Sequence, residues 1–386
     1  MPSVAGGAPA GVVGPAPARR LRVLQVYPKG DFHTGAAIQL RDLARGLAGR
    51  GHRVLVLTRP SERWAAEAQA GGFRHLGWFP GAADPVGAIR LARLLRRDAV
   101  EVVHAHKGAG RTLTLLARVV GPRPPLVVNR GVSFPMGRAS RWLDGSRWIA
   151  CIVAVCAAIR DDLVRQGLPA DKIEVVYSGT DTTRFDPARV SGAAVRAALA
   201  LPPGAPLVTQ IGVREPKGND DLLRAFARIR AERPDARLLL VGARPEKRAP
   251  LEALARALGL DAAVTLWGYR DDVPEILAAS AVSVDASHEG LGITGALRES
   301  LAMETPVVAT RLMGNPELIR DGEHGLLVPP RDPVALAAAV VRLLADPAWA
   351  RTLGRAGRRR VVEGFSTDAK LDRLEALYAR LAARVP

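Results

Sequence analysis

The chain has 386 residues and a hydrophobic fraction of 48%, which is enough for two domains that each bury a core of their own. Its 55 Lys and Arg residues against 38 Asp and Glu residues give a net charge of +17, which predicts an anionic partner: nucleic acid, an anionic membrane or a phosphorylated substrate. Aromatic residues make up only 4% and do not alternate with basic ones, which argues against a platform for single-stranded nucleic acid.

Membrane and secretion signals are weak. The sequence has no run of about 18 apolar residues, so we expect no transmembrane helix. Its first 18 residues are rich in Ala, Gly and Pro but lack the basic start and apolar segment of a signal peptide, and we predict a disordered tail over residues 1–20. Cys151 and Cys156 fit neither a disulfide framework nor a metal site, which indicates a reducing, cytoplasmic compartment.

Apolar runs alternate with segments of helical periodicity along residues 21–200, the predicted first domain. The predicted strands cover 21–26, 53–57, 99–104, 125–129, 150–155 and 173–177, and the predicted helices cover 36–50, 85–97, 108–119 and 157–167. Such alternation predicts an α/β fold with a parallel, doubly wound sheet that carries helices on both faces.

A second alternating series follows a Pro-containing interdomain stretch, residues 187–206, and defines a predicted second domain at 201–365. Its strands are predicted at 207–211, 237–241, 263–267, 281–284, 306–309 and 325–328, with helices that begin near residues 220, 251, 272, 296 and 315. The remaining segment, 366–386, has an amphipathic pattern and is predicted to form a C-terminal helix that begins at the cap Ser366.

A glycine-rich turn between a predicted strand and a predicted helix is the strongest candidate for an anion site. Gly290, Gly292 and Gly295 let the backbone approach a ligand, and the free N–H groups of the helix start point toward it. Glu289 and Glu299 flank the turn; carboxylates repel phosphate, so we expect them to accept hydrogen bonds from hydroxyl groups. A nucleotide-sugar fits this layout, and an ordinary βαβ unit with solvated glutamates explains the turn equally well.

Two basic residues follow the predicted strand 207–211. Arg214 and Lys217 lie in a tight loop at the carboxyl end of a parallel strand, where open α/β sheets bind ligands, and two cations there would neutralise a diphosphate. A solvated basic turn is the alternative. In the other half, the loop 30–35 has the glycine spacing of a Walker A loop, but Ala36 and Ala37 stand where Lys and Ser or Thr are required; Gly35 can still present a helix N-terminus to a phosphate.

Three further side chains are candidate acceptor contacts. His104 and His106 flank the end of a predicted strand, where they either touch a sugar or simply hydrogen-bond to neighbouring loops. Arg130 follows the next strand and is suited to a phosphorylated or acidic acceptor.

Several segments occur in an order that resembles a known family: HTGAAIQLRDLARGLAGRGHRVLVLT, VVHAHKGAGRTLTLLA, GVREPKGNDDLLRAFA, LWGYRDDVPEILAASAVSV and HEGLGITGALRESLAMETPVVATRLMGNPELI. Together they resemble the family-4 retaining glycosyltransferases, over residues 21–381. The resemblance implies the GT-B fold, in which two Rossmann-like domains face a cleft and the C-terminal helix crosses back to the first domain. It also implies that the first domain binds the acceptor and the second binds the donor.

The resemblance also implies roles for individual residues. Arg214 and Lys217 would bind the donor diphosphate as catalytic residues, Glu299 would bind the ribose, and Glu289 would act at the donor sugar. The other donor-binding positions that it implies are Gly35, Tyr269, Arg270, Gly292, Ile293, Thr294 and Gly295. Two departures stand out: nine residues separate Glu289 from Glu299 where the family has seven, and Asn129-Arg130-Gly131 replaces a frequent histidine.

The resulting hypothesis is a metal-independent, retaining transfer of a hexose-type sugar from a UDP- or GDP-sugar to an acceptor hydroxyl. Lipopolysaccharide or another cell-surface glycan is the expected product, and no cofactor is expected. The chain has no Asp-x-Asp pair of the kind that holds a divalent metal in other transferases. A nucleotide-sugar-binding protein without activity remains an alternative, as does a GT-B epimerase or a synthase that acts on a free sugar.

A peripheral contact with an anionic membrane is the last expectation. The stretch 138–148 brings Arg138, Arg141 and Arg147 beside Trp142 and Trp148, a mixture suited to lipid headgroups. The arginines at positions 90, 93, 96 and 97 extend it. This predicts a cytoplasmic protein on the inner face of the plasma membrane, with a glycan or lipid-linked acceptor and no nucleic acid. A solvated basic face above core tryptophans is the alternative.

Overall fold

The computed structural model describes residues 19–32, 34–132, 134–289, 292–312 and 314–384. The predicted tail therefore lies outside the described residues except for Arg19 and Arg20, and so does Gly290 of the glycine-rich turn. Within the described ranges the chain forms two parallel sheets flanked by helices, which confirms the predicted α/β class.

The first sheet has the order β3-β2-β1-β4-β5-β6-β7, and all its strand pairs are parallel. Its strands are β1 (Arg22–Val26), β2 (Arg53–Thr58), β3 (Arg74–Gly77), β4 (Val102–His106), β5 (Leu126–Arg130), β6 (Cys151–Ala154) and β7 (Ile173–Val175). The helices along this part of the chain are α1 (Gly35–Gly49), α2 (Glu62–Gly71), α3 (Pro85–Arg97), α4 (Lys107–Val120), α5 (Arg138–Gly145), α6 (Ala157–Arg165) and α7 (Ala193–Ala198).

The second sheet has the order β10-β9-β8-β11-β12-β13 and is again parallel. Its strands are β8 (Leu207–Ile211), β9 (Arg237–Val241), β10 (Val264–Trp267), β11 (Val282–Asp285), β12 (Val307–Thr310) and β13 (Leu326–Val328). Its helices are α8 (Asn219–Glu232), α9 (Pro245–Ala257), α10 (Val273–Ala279), α11 (Gly295–Ala302), α12 (Asn315–Leu318), α13 (Pro333–Ala345) and α14 (Pro347–Gly364).

The last helix, α15 (Thr367–Ala382), returns to the first half as expected. Its apolar stripe, which includes Leu371, Leu374 and Tyr378, joins the core that Leu40 and Leu43 of α1 help to form. Burying a leucine side chain contributes roughly 1.5–3 kcal/mol, so this stripe fixes the end of the chain against the first sheet.

The bounds of two helices matter below. α9 begins at Pro245 rather than near Leu251, and Pro250 lies inside it. α5 ends at Gly145, so Arg147 and Trp148 are not on the same helix as Arg138.

No single helix in the described part of the chain is both long enough and apolar enough to cross a bilayer. The neighbouring helices α13 and α14 meet those criteria only as a pair, and they are bent by 104° where they join.

Candidate functional site

The two halves meet through segments that follow the carboxyl ends of β6 and β12. Glu317 of α12 accepts hydrogen bonds from the backbone N–H groups of Ala157 (2.7 Å) and Ala158 (2.8 Å) at the start of α6, and from the Tyr177 hydroxyl (2.9 Å). A carboxylate from the second half thus occupies a helix N-terminus of the first, where partial positive charge favours an anion.

The glycine-rich turn also lies against the first half. A Cβ atom on Gly292 would lie 3.4 Å from side-chain atoms of Ile159 and Val155, and the Arg298 guanidinium donates to the Thr180 hydroxyl at 3.3 Å. The turn therefore faces the junction of the two halves.

Lys217 is a buried residue of the loop that follows β8. Its ammonium donates to the Asp285 carboxylate at 2.9 Å, and the same carboxylate oxygen accepts from the Thr294 hydroxyl at 2.6 Å. Burial acts to raise the pKa of Asp285, but the Lys217 charge and the hydrogen bonds from Ser287, Thr294 and Lys217 outweigh it and lower that pKa to about 2. Asp285 thus joins the loop after β8 to the start of α11.

Backbone geometry explains why glycines stand in the loop after β8. Gly218 has φ +60°, and a Cβ there would lie 2.1 Å from the Ala286 carbonyl oxygen. Gly212 has φ +104°, with the Lys217 side chain 3.3 Å from where its Cβ would be. Buried Gln210 then ties the loop to β11, because it donates to the Lys217 carbonyl and accepts from the Ala286 N–H. Only glycine relieves both the strain and the crowding.

Arg214, the second predicted cation, is placed differently from Lys217. Its side chain is exposed and forms no ion pair within the described part of the chain, while its backbone N–H donates to Asn219. The loop therefore carries one buried cation, Lys217, and one exposed cation, Arg214.

The start of α11 is a capped helix N-terminus. Thr294 caps the helix by accepting from the Leu297 N–H at 3.3 Å, and Ile293 is buried beside it. A Cβ on Gly295 would meet a Glu299 carboxylate oxygen at 3.5 Å, so Glu299 folds back over the first turn of its own helix. Gly292, Ile293, Thr294 and Gly295 thus form the strand-to-helix turn that the sequence predicts.

Glu299 sits among charges from both halves. Burial raises its pKa, and the charges of Arg298, Arg184 and Lys217 oppose that shift while Asp42 of α1 adds to it. Such a carboxyl accepts a hydrogen bond from a ligand hydroxyl when it is ionised and donates one when it is protonated.

Three other predicted donor residues, Glu289, Tyr269 and Arg270, have exposed side chains. Glu289 is exposed, and the structure shows no contact between it and Glu299. Tyr269 is exposed and donates to Asp271 at 3.0 Å, and Arg270 forms an ion pair with Asp272 and stacks on Trp267. Both side chains thus have local partners, and contact of this segment with a base through its backbone stays a prediction.

Gly35 is the first residue of α1, and no atom comes within 4 Å of where its Cβ would be, apart from its own chain neighbours and helix backbone. Thr34 caps the helix by accepting from the Ala37 N–H, and the Tyr27 hydroxyl lies 3.2 Å from the Thr34 hydroxyl. The predicted close approach at Gly35 is thus sterically open.

The two histidines belong to a buried hydrogen-bond chain. Gln25 accepts from His106 and donates to the Tyr378 hydroxyl, which in turn lies 2.6 Å from His104 Nδ1. Burial and the charge of Lys370 together lower the pKa of both imidazoles, to about 3 for His106. His104 is 1% exposed and bonds to Tyr378 of α15, which favours the alternative in which it hydrogen-bonds within the protein, and a sugar contact by His104 stays a prediction. His106 is partly exposed and keeps the acceptor role as a prediction.

Arg130 shares the buried carboxylate of Asp144 with Arg111 of α4. About a quarter of the Arg130 side chain remains exposed, so it is accessible to a ligand. The Asp144 carboxylate partly neutralises its charge.

Several site residues were not predicted from the sequence. Asp285 is the last residue of β11, Glu317 belongs to the short helix α12, and Lys370 lies on α15, where burial lowers its pKa to about 8. Their partners are distant in the chain: 68 residues for Lys217 with Asp285, and 331 for Lys370 with Gln39. Among the described residues, no group of three His, Cys, Asp or Glu side chains is arranged to hold a metal ion.

Comparisons with known families match both halves of the chain. Residues 33–184 match the model described as Glycosyltransferase Family 4, and residues 205–346 match Glycosyl transferases group 1. The MMP alpha-(1->4)-mannosyltransferase of Mycolicibacterium hassiacum is 32% identical over 80% of this chain and 78% of its own length. The lipopolysaccharide core biosynthesis glycosyltransferase LpsE of Rhizobium meliloti is 31% identical over 89% of this chain and 94% of its own.

Solved structures have the same fold. A glycosyltransferase from Rickettsia africae superposes with a TM-score of 0.88 at 20% identity, covering 95% of this chain and 99% of its own. HepE from Anabaena, solved in complex with UDP, superposes with a TM-score of 0.81 at 20% identity, covering 93% of this chain and all of its own.

Proposed function

Because the chain belongs to the family-4 glycosyltransferases and has the GT-B fold, we propose that it transfers a hexose-type sugar from a UDP- or GDP-sugar to an acceptor hydroxyl with retention of anomeric configuration. The observation that carries the proposal is the convergence on Asp285. Lys217 from the loop after β8 and Thr294 from the start of α11 bond to one carboxylate oxygen. A diphosphate at this edge of the sheet meets a fixed ammonium and a helix N-terminus together.

The chemistry required of the site is departure of the nucleoside diphosphate. The bond between the anomeric carbon and the phosphate oxygen breaks while the acceptor oxygen bonds to the same face of that carbon, and the departing phosphate oxygen takes the acceptor proton. Charge develops on the diphosphate, so preorganised cations and N–H donors lower the barrier. Lys217, Arg214 and the 292–295 turn supply them, and this route uses no side chain as the base.

The relatives support the substrate classes. HepE was solved with UDP, and LpsE is named for lipopolysaccharide core biosynthesis. We extend both to this chain as proposals: a nucleotide-sugar donor held by the second half and a growing cell-surface glycan held by the first. Glu299, which folds over the first turn of α11, is then placed to bind a ribose hydroxyl.

The test is sugar transfer by the purified chain with a panel of UDP- and GDP-sugars and glycan acceptors. Removing a group aimed at developing charge costs about 100- to 1,000-fold in rate, so we expect losses of that order for Lys217→Ala and Arg214→Ala. Arg224→Ala, which removes an exposed charge from α8, is the matched control and should leave the rate unchanged. Near-normal rates in both site variants would overturn the diphosphate assignment. Tight donor binding without transfer by the unaltered chain would instead favour the binding-protein alternative.

Metal independence is a separate proposal within this function. The chain has no Asp-x-Asp pair, and the diphosphate charge is assigned to Lys217 and Arg214. We therefore expect the same transfer rate in excess EDTA as in Mn²⁺ or Mg²⁺. Activity that EDTA abolishes and Mn²⁺ restores would contradict the cation roles given to these two residues.

We also propose that the enzyme works at an anionic membrane surface, with the first half in contact. The chain runs β3 to β4 to β5 to β6 in one direction across the sheet, so right-handed crossovers place α3, α4 and α5 on one face. Contacts agree: α4 packs on α3, and Arg111 and Arg118 of α4 bond to Asp144 and the Trp148 carbonyl near α5.

This α3–α4–α5 face combines exposed apolar and basic side chains. Val86 is 75% exposed, Val119 65% and Trp142 71%. The other exposed apolar residues here are Ile89, Leu116, Val120 and Phe134, and the exposed basic ones include Arg90, Arg93, Arg138 and Arg141.

The positive charge of this face favours an anionic bilayer as its partner. Helices α3 and α4 contain no acidic residue, and Asp144 of α5 is buried. Apolar side chains flanked by arginine and without exposed acids suit the headgroup region of such a bilayer. Trp148 does not contribute directly, because Arg118 and Arg123 cover its ring. A lipid-linked acceptor and a peripheral position on the inner face of the plasma membrane follow from this proposal.

A further inference from the structure

A buried carboxylate lies beneath the candidate donor site without a part in the reaction as described so far. Asp285 ends β11 and is 2% exposed. Its carboxylate accepts four hydrogen bonds: from the N–H (3.1 Å) and hydroxyl of Ser287, from the Thr294 hydroxyl (2.6 Å) and from the Lys217 ammonium (2.9 Å). Four donors to one carboxylate fix its position far more tightly than one ion pair could.

The geometry shows what this carboxylate controls. Lys217 and Thr294 bond to the same oxygen, Oδ2, although they come from different loops. An ammonium has three N–H donors, and Asp285 takes one of them. The two that remain are fixed relative to the N-terminus of α11, which begins at Gly295, the residue after Thr294.

Charge is the second part of the argument. Lys217 is 3% exposed, and a buried ammonium without a counter-charge tends to lose its proton. Asp285 is in direct contact with it, and Glu299 of α11 is a further acidic group within electrostatic range. Arg214, on the same loop, is exposed and cannot hold Lys217 in place.

We propose that Asp285 is a positioning residue for sugar transfer: it keeps Lys217 charged and directs its free N–H groups, in register with the α11 N-terminus, toward the donor diphosphate. The inference rests on the proposed function. Asp285 itself touches no substrate and acts through Lys217.

The first measurement is the pH–rate profile of Asp285→Asn, which keeps the side-chain shape and removes the charge. We expect kcat to fall about 10- to 100-fold, with a smaller change in KM for the donor. We also expect the alkaline limb of the profile to move to lower pH, because an ammonium that has lost its carboxylate gives up its proton more readily as pH rises. A purely structural role would lower stability without moving that limb.

A double-mutant cycle with Lys217→Ala shows whether Asp285 acts through the lysine. If it does, D285N added to K217A costs little beyond K217A alone, so the two losses do not multiply. Independent, multiplying losses would overturn the proposal, and so would parental kcat and pH dependence in D285N.

Two further variants keep the test decisive. Asp98→Asn is the matched control, because Asp98 is also buried and ion-paired, with Arg53, Arg74 and Arg97, but lies in the first half beside α3. It should lower the thermal midpoint and leave the alkaline limb in place. Should D285N fail to fold, Asp285→Glu retains the charge but displaces the ammonium, so kcat should fall with the alkaline limb unchanged; parental kcat in D285E would overturn the positioning role. If Lys217→Ala alone leaves the transfer rate unchanged, that result counts against the proposed function instead.

Discussion

Two carboxylates, Asp285 and Glu317, hold the loops of the candidate site at the scale of single residues. Asp285 works inside the second half, where it joins two loops through Lys217 and Thr294. Glu317 works between the halves, where its oxygens accept from two backbone N–H groups and a tyrosine hydroxyl. The first therefore joins two loops of the second half, and the second joins the second half to the first.

Glu317→Gln tests the second role. An amide has one acceptor oxygen, so it cannot satisfy Ala157, Ala158 and Tyr177 as the carboxylate does, and hydrogen bonds to a charged group contribute about 1.5–3 kcal/mol each. We expect the thermal midpoint to drop by about 2–4 °C, measured by differential scanning fluorimetry. Glu323→Gln is the control, because Glu323 is exposed and water screens its ion pair with Arg320. Equal midpoints for E317Q and the unaltered chain would contradict the bridging role.

Residue types at strand ends could be predicted, but their pairing could not. Arg214, Lys217 and Glu299 follow strands that the apolar pattern identifies, so the sequence places them at one edge of a sheet. Nothing local marks Asp285 as the partner of Lys217 or Tyr378 as the partner of His104, because those contacts span 68 and 274 residues. The sequence therefore leaves both a sugar contact and a structural hydrogen bond open for His104, and in the structure α15 covers it.

At the scale of elements, strands that are apolar throughout could be predicted within a few residues, because a parallel sheet buried on both faces requires them. The edge strand β3, with the sequence RHLG, lacks that pattern and was missed, as were α2, α13 and α14. The start of α9 was misplaced because a proline often marks the first turn, and two are present: Pro245 begins the helix and Pro250 lies inside it. The 292–295 turn, by contrast, has a cap residue and glycines that determine its form locally.

The whole molecule combines a junction of two sheets with one face that has an unusual composition. The alternation of strands and helices predicts two doubly wound halves, but it cannot predict which helices share a face, because that depends on strand order. The order β3-β2-β1-β4-β5-β6-β7 places α3, α4 and α5 side by side. Exposed Phe134 follows β5 on the segment that leads from Arg130, so this face adjoins the edge of the sheet where an acceptor is expected.

Co-sedimentation with liposomes tests whether this face binds a bilayer. We expect the chain to pellet with vesicles that contain anionic lipid and to remain in the supernatant with zwitterionic vesicles. Binding should weaken as salt rises, because each basic residue near an anionic surface contributes on the order of 1 kcal/mol and is screened within a Debye length. Removing two charges with Arg138→Ala and Arg141→Ala should therefore weaken binding by about 10-fold or more. Trp142→Ala should weaken binding even at low salt, because it removes apolar area that the bilayer would bury.

The matched control removes the same charge from the other half of the molecule. Arg355 and Arg359 are exposed on α14, so Arg355→Ala with Arg359→Ala lowers the net charge by the same amount without touching the α3–α4–α5 face. If attraction were a property of net charge alone, both double variants would weaken binding equally, and the assignment of this face would be wrong. If the unaltered chain stays in the supernatant with anionic vesicles at low salt, the enzyme does not work at a membrane and its acceptor is a soluble glycan. Loss of binding confined to R138A/R141A and W142A would place the acceptor at the bilayer, beside the sheet edge that carries Arg130 and His106.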